Sequence, residues 1–126
     1  MRGGGLNGIR MTSDNFFNQN KIIFDLIFID GLHTAEQGFK DLINSINNCN
    51  INSYIIFHDV LPKSYGEQVC PRQQLSWTGD IWKIFFMLDE FKIDYVIGNF
   101  DSGVGIIKVD TKLKTTKLDI SSFKNL

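Results

Sequence analysis

Two short strings hold the densest grouping of chemically capable side chains in this sequence: Asp30-Gly31-Leu32-His33 and His58-Asp59. Each follows an apolar run that reads as a strand, Ile22 to Ile29 and Tyr54 to Phe57. If the strands are parallel neighbours, two carboxylates and two imidazoles meet at one sheet edge, where open α/β sheets bind their ligands. Asp30 and Asp59 could then give oxygen ligands to a divalent metal, with His33 or His58 as a third ligand or a general base. A hard cation such as magnesium takes carboxylates and water, while a histidine shifts the choice towards manganese or iron. The same residues also have a structural use. An aspartate at a strand end caps the next turn, and a histidine beside it hydrogen-bonds to it. Spacing alone leaves both readings open.

Other chemistry-bearing residues carry less. Gly3-Gly4-Gly5 lacks the preceding strand and following helix that a phosphate loop requires. Trp77 and Trp82, with Tyr65 and Arg72, could line a pocket, but Trp82 sits at helical spacing and is expected in the core. Cys49 and Cys70 match no zinc pattern and read as free thiols.

The elements around these residues follow from apolar periodicity. Met1 to Arg10 is glycine-heavy and reads as a loop or flexible arm. Thr12 or Ser13 can cap a short helix through Asn20. The run from Ile22 to Asp30 is continuously apolar except for Asp25, which predicts a strand covered on both faces. Thr34 and Gln37 have capping-box spacing, and Ala35, Phe39, Leu42, Ile43 and Ile46 form one helical stripe. The Asn-rich stretch 47–52 ends that helix, and Tyr54 to Phe57 is a second strand.

An irregular segment is expected from Val60 to Trp77, then a helix from Gly79 to Lys92 with two apolar faces. Asp94 to Phe100 and Val104 to Val109 read as a hairpin, with Asp101, Ser102 and Gly103 in its turn. The tail from Thr111 reads as a surface strand or disordered. The expected architecture is one α/β domain over residues 1–126, with about four main strands, three parallel and one antiparallel.

Composition sets the bounds. The 126 residues allow one domain, and 43% apolar content excludes a disordered chain. Thirteen Lys+Arg against fourteen Asp+Glu give a net charge of -1, which rules out a strong electrostatic case for nucleic acid or an anionic membrane. No apolar run approaches the ~18 residues of a membrane span. With no apolar signal segment after Arg2, a cytoplasmic location is expected.

The string FDLIFIDGLHTAEQGFKDL, followed by YIIFHDVLP, resembles the class I S-adenosylmethionine-dependent methyltransferases. It is most similar to the bacterial branch with an I-D-G-x-H motif at the fourth strand and an H-D motif after the fifth. MTSDNFF, WTGDIWK and DSGVGII are similar to that branch too, so the resemblance runs from Met11 to Val109. The glycine-rich cofactor loop and the ribose-binding acid of the family have no counterpart here. The resemblance thus implies the second half of a partial Rossmann-like methyltransferase sheet, strands 4-5-7-6 of the order 3-2-1-4-5-7-6. It implies a metal at Asp30 and Asp59, and candidate catalytic bases in His33 and His58. It also implies S-adenosylmethionine as methyl donor, bound weakly or not at all without the loop.

The leading expectation is a methyltransferase-like domain acting, in full-length form, on a small-molecule or glycan acceptor. The alternative is a non-catalytic half-domain serving binding or oligomerisation. A metal-dependent hydrolase fits the downstream motifs less well. Truncation would turn the strand ending at Asp30 into an exposed apolar edge, so a homo-oligomer is expected.

Overall fold

A computed structural model describes residues 8–31, 34–73 and 78–123, the side chain of Ser122 excepted. Helix α1 (Ser13–Gln19) leads into strand β1 (Phe24–Ile29), helix α2 (Ala35–Asn47) and strand β2 (Cys49–His58). A one-turn helix α3 (Tyr65–Gln68), helix α4 (Lys83–Glu90), strands β3 (Val96–Gly98) and β4 (Val104–Lys108), and a short helix α5 (Thr111–Thr115) follow. The sheet order is β1-β2-β4-β3. β1 and β2 pair in parallel, and β4 runs antiparallel to both β2 and β3. Three strands therefore share one direction and one opposes them. Because β4 lies between β2 and β3, only the β1–β2 pairing is itself parallel.

The core lies on one face of this sheet. Ile27, Ile55 and Ile107 stand in one cross-strand row, with Ile55 and Ile107 fully buried. Phe39 and Leu42 of α2, Ile84 and Leu88 of α4, and Leu113 of α5 pack into the same cluster. Burying each such side chain contributes about 1.5–3 kcal/mol. Helices α2 and α4 approach closely at Gly38, where a Cβ would stand 2.3 Å from Ile81 Cδ1 and 2.6 Å from Ile84 Cδ1.

The opposite face is open, and the expectation that both faces of β1 are covered is corrected. Leu26 and Phe28 are 59% and 57% exposed, and Tyr54 and Val96 on the same face are exposed too. A continuous apolar run does not report whether anything lies over its second face. Among the described residues β1 has a strand neighbour on one side only, so it is the apolar edge anticipated from the sequence.

Several local expectations also change. The capping box at α2 does not form: Thr34 makes no side-chain cap, and the amide of Ala35 donates instead to Asp80 Oδ1 at 2.7 Å. The segment after Val60 contains α3, capped by Ser64 Oγ accepting from the Glu67 amide at 3.3 Å. β2 begins at Cys49 rather than Tyr54, with Asn52 in left-handed backbone (φ 73°) and a register shift opposite Phe24–Leu26.

The tail is not a strand or disordered over 111–115. It is helical, capped by Asp110 Oδ1 accepting from the Leu113 amide at 2.8 Å, and Leu113 anchors it in the core. At the other end Thr12 caps α1 as expected, accepting from the Asn15 amide at 3.2 Å. Residues 8–10 are irregular and exposed, while residues 1–7 of the expected arm lie outside the described residues.

Candidate metal centre

Asp30 lies just past β1, His58 ends β2, and Asp59 follows it. Parallel pairing of Ile29 with Phe57 brings the two strand ends level. One oxygen from each aspartate and a ring nitrogen of His58 lie within 4.8 Å of one another. His58 Nδ1 is 3.2 Å from Asp59 Oδ1 and 3.6 Å from Asp30 Oδ1. Asp59 holds a left-handed backbone (φ 62°), which turns the chain sharply as it leaves β2.

A fourth residue completes the cluster. His58 Nε2 lies 2.9 Å from Asp101 Oδ2 at the tip of the β3–β4 hairpin. Pairing of His58 with Val104 explains how that tip reaches the end of β2. In the sequence Asp101 reads as a turn residue only. The available signal was the antiparallel hairpin itself, whose turn must face the carboxyl end of whichever parallel strand β4 joins.

Burial and the neighbouring carboxylates act on His58 in opposite directions. Burial is the largest single influence on His58 and works against its proton. The hydrogen bond that Asp101 accepts from the ring and the charges of Asp59, Asp30 and Asp101 together outweigh it, so its pKa is raised above the ordinary 6.5. His58 Nδ1 is nonetheless shielded from solvent and makes no hydrogen bond, because the nearby carboxylate oxygens miss hydrogen-bond geometry.

The cluster thus brings together Asp30, His58 and Asp59 from the expected set. His33 and Trp77 lie outside the described residues. Trp82 is half-buried rather than core. Its Nε1 donates to Gln68 Oε1 at 3.1 Å, and it lines a groove of about 440 Å³ with Phe86, Tyr95 and Leu61. A second groove of about 430 Å³ runs between α1 and the β1 edge, lined by Phe16, Phe17 and Phe28, and ends at Asp30 and Gly31.

This four-stranded mixed sheet with its flanking helices has a methyltransferase-like Rossmann fold. Among solved structures it is similar to a protein from Staphylococcus aureus provisionally assigned as a caffeoyl-CoA O-methyltransferase. The identity is 19% and the TM-score 0.54, over 79% of this chain and 50% of that one. The match therefore spans half the length of that protein, and at this identity the likeness is one of fold. No protein-family model and no curated protein sequence matches the chain. No helix among the described residues is long and apolar enough to cross a membrane.

Proposed function

We propose that this chain is the acceptor-side half of a methyltransferase-like domain, holding a divalent cation at Asp30, His58 and Asp59. The observation that carries the reading is the convergence of those three side chains at the ends of two parallel strands. The donor set fits a cation such as magnesium or manganese. Two carboxylates supply hard oxygens, and His58 Nδ1 is a buried nitrogen without a hydrogen-bond partner, which costs stability unless something takes it up. When bound, such a cation lowers the pKa of a coordinated hydroxyl on a small-molecule or glycan acceptor. His33 is the other candidate base that the family resemblance implies.

The fit to S-adenosylmethionine is different. Among the described residues no glycine-rich turn links a strand to a helix, so these residues do not form a cofactor cradle.

The alternative is a non-catalytic half-domain for assembly, favoured by the exposed β1 edge. Calorimetric titration of the chain with S-adenosylhomocysteine, with and without manganese, separates the two. Micromolar binding would support methyl transfer by this chain. No binding up to millimolar ligand would favour the assembly module.

A further inference from the structure

We propose that Asp101 is a positioning residue that holds His58 as its Nε2–H tautomer, so that the Nδ1 lone pair faces Asp30 and Asp59. The inference deepens the proposed cation site but stands on its own geometry. In a neutral imidazole one nitrogen donates and the other accepts. If the proton sat on Nδ1, that N–H would be buried without a hydrogen bond. Nε2 would then set its lone pair against a carboxylate oxygen at 2.9 Å, acceptor facing acceptor. With the proton on Nε2, Asp101 Oδ2 accepts it, and Nδ1 is left as an acceptor turned towards Asp59 at 3.2 Å and Asp30 at 3.6 Å. A carboxylate accepting from the far nitrogen is also the usual device that orients a metal-binding histidine.

The hairpin tip is built to hold Asp101 there. Asp101, Ser102 and Gly103 are consecutive left-handed residues, with φ of 49°, 63° and 91°. Such conformations cost energy and persist only where their surroundings fix them. Here the amide of Leu61 donates to Ser102 O at 2.9 Å, and the amide of Gly103 donates to Phe100 O at 2.8 Å. A Cβ on Gly103 would stand 2.6 Å from the Leu61 nitrogen, so the tip seats directly on the chain that has just passed through Asp59. The strand end carrying His58 and Asp59 and the tip carrying Asp101 thus form one stitched junction.

The test uses the full chain and ring-nitrogen NMR at about pH 9, where imidazoles are neutral. With two histidines in the sequence, His33→Gln assigns the spectrum. Wild type is expected to show His58 with Nε2 protonated. Asp101→Gly, which keeps the left-handed backbone, should give mixed tautomers and bind manganese about 10–100-fold more weakly. Asp101→Asn keeps an accepting oxygen and should restore the wild-type tautomer. A wild-type ring protonated on Nδ1, or an unchanged ring in Asp101→Gly, overturns the proposal. Should wild type bind no manganese, the cation reading falls, and the NMR result still decides the role of Asp101.

Discussion

The amide of Ala35 donates to the buried carboxylate of Asp80 at 2.7 Å, so α2 is capped by a residue 45 positions away. Lys83 Nζ lies 3.2 Å from the other oxygen of Asp80, which ties the start of α4 to the same point. The helix following the Asp30 turn is therefore fixed by a long-range contact. Asp80→Ala should cost about 1–2 kcal/mol, combining a lost cap with a buried amide left unpaired. Thr34→Ala, which removes no cap, should change stability by less than about 0.5 kcal/mol. Urea denaturation of both variants checks the contrast.

At Gly105, β4 lies close to Phe85 of α4. A Cβ there would stand 2.3 Å from Phe85 Cζ. That ring is held edge-on against Phe57 and Tyr95, at centroid distances of 6.1 Å and 4.9 Å, so it must shift against both to make space. Gly105→Ala should destabilise by about 1–3 kcal/mol through overpacking. Adding Phe85→Leu should cost less in that background than in wild type, because the two sites share one space. Thermal melts of the two single variants and the double variant measure the coupling.

Asp41 on α2 is buried, and burial raises its pKa above 3.8 despite hydrogen bonds from Ser13 and Gln37 that lower it. The sign follows from linkage. A group whose folded pKa is raised adds stability below its unfolded pKa and loses it as pH climbs through the folded value. Asp41→Asn keeps an oxygen for Gln37 and never ionises. It should be more stable than wild type near about pH 7, with the advantage gone by about pH 3. Equal urea midpoints at both pH values would contradict this.

Leu26 and Phe28 leave an apolar stripe on the open face of β1, which among the described residues is an edge strand, and this favours self-association. Sedimentation velocity at low micromolar concentration should show dimers or larger species. Leu26→Lys with Phe28→Lys should shift them to monomer. A clean wild-type monomer would contradict the prediction.

Much of this fold was legible in the sequence because its signals are local. The apolar run of β1, the 3.6-residue stripe of α2 and the turn residues between β3 and β4 each identify their element without help from the rest. What escaped depends on distant partners. The outer face of β1 is open, and no pattern within six residues distinguishes an open face from a covered one. The cap on α2 comes from Asp80, not from the neighbouring threonine. The Asp30, His58 and Asp59 grouping was legible because parallel strands level their ends. Asp101 was not, since its place beside His58 exists only once β4 inserts next to β2. Leu113 likewise turns a lysine-rich tail into a helix by burying one side chain.

Manganese titration followed by electron paramagnetic resonance decides whether Asp30, His58 and Asp59 hold a cation. Wild type should immobilise one equivalent of manganese, and Asp30→Asn and Asp59→Asn should each abolish that uptake while remaining folded. Uptake that survives in both variants, or no uptake by wild type, would contradict the site.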